Sequence, residues 1–322
     1  MTHPLDSGPR KIHEGPKAEW ILADLGDQSE RTFLVTGVTS GIGFEIAREL
    51  ARAGGRVILA ARSRDKLALA QSVLIKELPE AKLEQLIIDL ADQARVRHAA
   101  DRARSFGPIH TLVNNAGIMA TPYGRTADGL ELQMATNHFG PFALTGLLLP
   151  QLVESGDGKV VTVASVAHTW PRTPPTDEPR MLKTRYSRWQ TYGHTKLANL
   201  MFTFELDRRL TAAKLPVKAV AAHPGYAATH LLAGSAGGAR SGSASILNSV
   251  MSATAQSAAK GALPILMAAT KDLPGSTYCG PSGWRQLRGL PRVVGTSKLA
   301  KDEAAQKRLW EISEHVTGIH YP

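Results

Sequence analysis

The chain has 322 residues, enough for one α/β domain with extensions, and its 43% hydrophobic and 20% charged residues are an ordinary globular balance. Its single cysteine, Cys279, excludes an internal disulfide, fits a reducing compartment and has no metal-ligand spacing around it, so no metal site is expected. The formal net charge of +10 is mostly scattered arginine with no nucleic-acid module, so an anionic cofactor accounts for the sign better than nucleic acid does.

Residues 1–28 are polar, contain Pro4, Pro9 and Pro16, and read as an N-terminal extension without the apolar centre of a signal peptide. Within it, "AEWILADL" predicts a short packed helix. The longest apolar stretches, such as "ALTGLLLPQLV" (143–153), are too short to span a bilayer. A soluble, cytoplasmic protein is the expectation.

From Arg31 the pattern changes. "TFLVTG", "RVILAAR", "LEQLIIDL", "HTLVNNAG", "KVVTVAS" and "VKAVAAHPG" are short runs that lack a polar face and predict buried parallel strands. Between them lie helical patterns: "GIGFEIARELARAG", "SRDKLALAQSVLIKEL" with Ser63 as N-cap, "QARVRHAADRARSF", "LELQMATNHFGPFALTGLLLPQLV" and "YGHTKLANLMFTFELDRRLTA". This alternation predicts an α/β fold, a single Rossmann-type doubly wound parallel sheet flanked by helices. The expected domain runs over 29–322, with a core at 31–230 and a substrate-covering C-terminal helical segment at 231–322. In that segment "AGSAGGARSGSASI" reads as a loop, and "TAQSAAKGALPILMAAT" and "KDEAAQKRLWEISEHVTG" as helices.

"TGVTSGIG" (36–43) sits where a strand turns into a helix. Gly37 permits the tight turn, and Gly41 and Gly43 permit close approach of a pyrophosphate to the helix N-terminus, with Thr39, Ser40 and Ile42 in the same turn. A tight turn without a ligand is the bland alternative. The following strand ends "LAARSR", which places Arg62 where an NAD binder would hold the ribose 2′-hydroxyl with a carboxylate. A guanidinium there suits a 2′-phosphate, which predicts NADP(H) over NAD(H), unless Arg62 is a solvated surface residue. Of the six tyrosines, only Tyr192 has a lysine, Lys196, four positions on, one helical turn away.

Taken in order, "TGVTSGIG", "DL" (89–90), "NNAG" (114–117), Asn137 in "NHFGPF", Ser165 in "VASVAH", "YGHTK" (192–196) and "PG" (224–225) resemble a short-chain dehydrogenase/reductase over about 31–230. The resemblance implies an oxidoreductase that interconverts a carbonyl and an alcohol. Tyr192 would be the general acid or base, Lys196 would lower its pKa and hold the nicotinamide ribose, Ser165 would bond the substrate oxygen, and Asn137 would hold a water that relays protons to Lys196. Asp89 and Leu90 would flank the adenine. Asn115, Ala116 and Gly117 would lie under the cofactor, and Pro224, Gly225 and Thr229 beside the nicotinamide. His138, His194 and His223 lie near these motifs and read as packed or solvated residues. The alternative function is a catalytically silent NADPH-binding sensor or scaffold.

Two departures stand out. Thr195 precedes Lys196 where serine is more usual. Between Ser165 and Tyr192 stand 26 residues, about twice the spacing of many family members. This insertion, with "NHFGPF", "VAH", "KLANL" and "HPG", resembles the retinol-dehydrogenase-like and WW-domain-oxidoreductase-like branch, which implies lipophilic alcohols or carbonyls as substrates. Trp170 and Trp189 among its arginines suit either a membrane surface, an acidic partner or a stabilising flap. The family also implies a homodimer or homotetramer paired through the helices that carry Asn137 and Tyr192.

Overall fold

The six apolar runs become parallel strands: β1 (Thr32–Thr36), β2 (Arg56–Ala61), β3 (Leu83–Ile87), β4 (Thr111–Asn114), β5 (Gly158–Val163) and β6 (Val217–Ala222). The computed structural model describes residues 20–176, 186–225 and 257–322. The sequence pattern does not predict two further strands beyond residue 230. β7 (Tyr278–Pro281) adds parallel to β6, and β8 (Pro291–Val293) closes the edge antiparallel to β7. The sheet order is β3-β2-β1-β4-β5-β6-β7-β8, so the winding reverses between β1 and β4, where a doubly wound sheet opens its ligand crevice.

Alternation along each strand divides the core. Phe33 and Val35 face one side, with Ile46 and Leu50 of α1 (Gly41–Arg52), Leu67 and Leu74 of α2 (Arg64–Glu77), and Ile265 and Leu266. The last two belong to the helix at Ala258–Thr270, α7 below. Leu34, Ile58 and Leu112 face the other side, against α3 (Gln93–Ala103) and the two long helices of the middle of the chain. The first of these starts as α4 (Leu132–Met134), passes through a π turn at Ala135–Phe139, and continues as α5 (Gly140–Glu154). The second, α6 (Arg188–Ala212), begins four residues before Tyr192, earlier than the sequence pattern predicts.

The C-terminal segment is structural as well as peripheral. α7 (Ala258–Thr270) packs on the sheet, and α8 (Glu303–Thr317) lies on α5 and α6. Trp310 of α8 is 2% exposed, stacks on Phe202 at 6.0 Å and meets Phe142 edge-on at 5.0 Å. The outer surface of α5 and α6, the one expected to pair copies of the chain, is thus packed against its own C-terminal helix. The predicted loop at 233–246 lies outside the described residues. The N-terminal packed helix is present as a single 3-10 turn, Leu22–Leu25, with Trp20 and Leu25 buried in the core. Among the described residues no helix is long and apolar enough to cross a membrane.

Candidate active site

β1 ends in Thr36, and the chain reverses through Gly37, whose φ of 77° is the left-handed region that favours glycine. A Cβ at Gly37 would stand 2.9 Å from Ala116 Cα, and one at Gly43 would collide with the Gly37 carbonyl and with Asn115 Nδ2. These two glycines are therefore required first by the fit of the turn against the end of β4. The pyrophosphate-binding capacity lies in the start of α1. Its N-cap, Ser40, is exposed and makes no side-chain cap bond, so among the described residues the first-turn N–H groups near Gly41, Ile42 and Gly43 have no side-chain acceptor. Thr39 is half-buried beside them. This cradle fits a dinucleotide phosphate.

Thr36 joins the turn to β4, a role the sequence reading lacks. Its hydroxyl accepts from the N–H of Asn115 and of Ala116, both at 3.0 Å, and donates to the Val113 carbonyl at 3.2 Å. Asn115 Nδ2 donates back to the Thr36 carbonyl at 2.8 Å. Each bond is worth about 1 kcal/mol net, and together they fix the floor on which a cofactor would rest. The signal in sequence is a hydroxyl residue that ends a fully buried strand.

At the end of β2, Arg62 is exposed and has no ion-pair partner among the described residues. Ser63 caps α2 by accepting from the Lys66 N–H, as its sequence position predicts. Asp89 accepts from the Ala91 N–H at 3.0 Å, and the Leu90 backbone is pressed against Gly140. Pro224 and Gly225 follow β6, with the Gly225 N–H donating to His223 Nδ1 at 3.2 Å. Thr229 lies outside the described residues.

Two of the four expected catalytic residues, Asn137 and Lys196, meet at Gly117. A Cβ on Gly117 would lie 3.1 Å from Asn137 Oδ1 and 3.7 Å from Lys196 Nζ. Lys196 Nζ donates to the Val163 carbonyl at 3.0 Å, and Asn199, one turn further along α6, donates to the same oxygen at 3.1 Å. Nζ also lies 5.7 Å from the Tyr192 ring centroid. Ser165 caps the 3-10 turn Val166–Thr169, its hydroxyl accepting from the Ala167 N–H at 3.2 Å, and lies close enough to the Tyr192 phenol to act on it. Gly193 lets this turn pack closely, since a Cβ there would stand 3.1 Å from the Ala167 carbonyl.

Burial pushes the Tyr192 phenol up to about 12, with the nearby Ser165 hydroxyl opposing it, and burial pushes Lys196 down to about 8. The sequence predicts that Lys196 draws the phenol down. Desolvation outweighs that attraction, because both side chains are almost fully buried. The Asn137 side chain is held from two sides: Nδ2 donates to the Ile118 carbonyl and to Thr195, and Oδ1 accepts from the Ile118 N–H. Its main-chain carbonyl is different. The residue four positions on is Pro141, which has no N–H to offer, and the helix passes Asn137 as a π turn.

His138 and His223 are buried, and His168 bridges the Ser165 carbonyl and the Ser297 N–H. Gln133 is another residue without a clear sequence signal. It accepts from the Ala120 N–H and donates to Tyr186 and to the Arg188 carbonyl, which ties the start of α6 to the loop after β4.

Residues 31–175 match the short chain dehydrogenase family. Retinol dehydrogenase 12 of Mus musculus is 34% identical over 293 residues, which cover 90% of this chain and 87% of that protein. Retinol dehydrogenase 13 of Homo sapiens is 32% identical, over 91% of this chain and 86% of that one. The crystal structure of an uncharacterized protein from Mycobacterium paratuberculosis is 41% identical and superposes with a TM-score of 0.78 over 95% of this chain and 100% of that one. With the sheet order and the Tyr192–Lys196 helix already in place, this chain belongs to the short-chain dehydrogenase family, in its retinol-dehydrogenase-like branch.

Proposed function

We propose that the chain is an NADP(H)-dependent oxidoreductase that interconverts a carbonyl and a primary or secondary alcohol on a lipophilic small molecule. The observation that carries this reading is the approach of Asn137 Oδ1 and Lys196 Nζ to Gly117, with Lys196 Nζ 5.7 Å from the Tyr192 ring centroid. The N-terminus of α1, the floor at Asn115 to Gly117, and Pro224–Gly225 would hold the dinucleotide, with Arg62 on its 2′-phosphate. When bound, the cofactor supplies the hydride at C4 of its nicotinamide.

The chain's own residues handle the proton. A phenol pushed up to about 12 is protonated throughout the physiological range, so Tyr192 is loaded as an acid, ready to donate to a carbonyl oxygen. Ser165 orients that oxygen against Tyr192. Lys196, pushed down to about 8, is still largely cationic at neutral pH and stabilises the phenolate left by the transfer. The Asn137 carbonyl, without an α-helical donor, accepts from the water that returns a proton to Lys196. The substrate class rests on the names of the relatives and on the aromatic rim of Trp170 and Trp189.

The test follows NADPH oxidation with a panel of aldehydes and ketones. Tyr192→Phe is expected to lower kcat by about 10²–10⁴ while NADPH still binds. Arg62→Ala is expected to weaken NADPH binding by about 10- to 100-fold and leave NADH binding unchanged. Tight NADPH binding by wild type, with no turnover on any substrate, would replace this reading with the sensor.

A further inference from the structure

Between Asp272 and Asp302 the sequence carries Arg285, Arg288, Arg292, Lys298 and Lys301 and no acidic residue, which is half of the chain's formal excess of +10. The structure gathers the three arginines on one hairpin between β7 and β8. The Ser282 N–H donates to the Leu290 carbonyl and the Gly283 N–H to the Arg288 carbonyl, both at 2.8 Å, and these bonds close a short tip. Trp284 stands at that tip, 73% exposed, the most exposed large hydrophobic side chain among the described residues. The Arg285 guanidinium lies 4.6 Å from its ring centroid. Val293 on β8 adds a second apolar side chain, 55% exposed. Arg285 and Gln286 hold left-handed φ values of 49° and 58°, an unfavourable conformation for residues that carry a Cβ.

The hairpin is anchored beside the active site. Gln286 Oε1 is 3.0 Å from His223 Nε2, directly before Pro224 and Gly225. Further along, the Ser297 N–H donates to His168, two residues before Trp170, whose ring lies 6.2 Å from Trp189 and 6.4 Å from Tyr192. A single segment thus runs from the end of β6 to the aromatic rim, with basic charge, exposed indole and no carboxylate.

We infer that this hairpin, with Trp284 at its tip and Arg285, Arg288 and Arg292 around it, docks the protein on the surface of an anionic lipid bilayer. The charge is complementary to lipid phosphates and carboxylates. An indole has an apolar body and one N–H, which suits the boundary between headgroups and acyl chains. Val293 favours the same boundary over a nucleic acid, whose backbone would take the arginines but offers no apolar layer. Docking would also set the mouth of the site over a reservoir of lipophilic molecules. That consequence rests on the proposed substrate class, whereas the docking itself does not.

The test is flotation of the full-length protein with vesicles of phosphatidylcholine alone or mixed with phosphatidylserine. Binding is expected only to the mixed vesicles, and it is expected to disappear at high salt. The triple variant R285A/R288A/R292A should bind about fivefold more weakly per arginine removed, about a hundredfold in all. Trp284→Ala should also bind more weakly and lose the blue shift of tryptophan emission that wild type shows on the vesicles. Far-ultraviolet circular dichroism and thermal unfolding confirm that the variants are folded. The inference is overturned if folded wild type ignores the mixed vesicles, if the triple variant binds as well as wild type, or if a short oligonucleotide binds the hairpin more tightly than the vesicles do. Turnover has no part in these measurements, so their failure would leave the hydride-transfer reading intact.

Discussion

His138 is packed among Phe139, Phe142 and Phe202, with ring centroids 5.1, 6.4 and 6.2 Å away. Ser313 Oγ donates to the Leu309 carbonyl at 2.7 Å, so His138 Nε2, 2.9 Å from that oxygen, must be the donor of their shared bond. Nδ1 then carries no proton, and it has no partner among the described residues. Acid would force a second N–H into an apolar pocket with no acceptor. Burial pushes His138 down to about 3 and His223 down to about 4. In the unfolded chain both rings take up a proton near pH 6.5, so between these values the unfolded state binds more protons and stability falls as the pH falls. From pH 7 to pH 5 the loss is about 2 kcal/mol for each histidine, about 4 kcal/mol together. The figure depends mainly on the unfolded-state pKa, because neither folded ring is appreciably protonated at pH 5. The lowered carboxylates, Asp27 and Asp272, lose their contribution only below the usual carboxylate range, outside this window. Urea unfolding at the two pH values measures the loss directly. His138→Leu should reduce the difference between them by about 2 kcal/mol, whatever its effect at pH 7, while His110 and His168, which burial also lowers, add to it in the same direction. A variant with the same pH difference as wild type would refute the reasoning.

Gly43→Ala should destabilise the fold by about 1–3 kcal/mol, because the new methyl meets backbone at Gly37 and the Asn115 amide rather than a flexible side-chain end. Thermal unfolding and NADPH titration should both shift, and a variant that matches wild type in both would show that the turn is looser than described. The packing of α8 over α5 and α6 predicts a monomer by sedimentation. Trp310→Ala should cost about 3–5 kcal/mol, since it empties the space between Phe142 and Phe202. A wild-type dimer joined through α5 and α6 would overturn that prediction.

The six central strands are legible in sequence because burial on both faces leaves them almost no polar residue, as in "TFLVT" and "RVILAA". β7 and β8 are not. Gly280 is present because His223 fills the space a Cβ would need, and Pro291 begins an edge strand, so both look like loop punctuation. The start of α6 is hidden for a different reason: Ser187 makes no cap bond and a proline-rich stretch precedes it. The order of Gly37, Asn137, Ser165, Tyr192 and Lys196 is readable as a motif, but the engagement of the Asn137 side chain and the direction of the Tyr192 shift depend on burial and on partners more than fifteen residues away in sequence, such as Ile118.

The long stretch between Ser165 and Tyr192 is bracketed by two fastenings. On one side the Val166–Thr169 turn and Pro171 lie against Gly193, and on the other Tyr186 donates to the Thr121 carbonyl while Gln133 holds both Tyr186 and Arg188. Each fastening holds its own end of the stretch against the helix that carries Tyr192 and Lys196. A lineage could therefore rewrite the residues between the two fastenings while Gly193, Tyr186 and Arg188 keep the start of α6 in place.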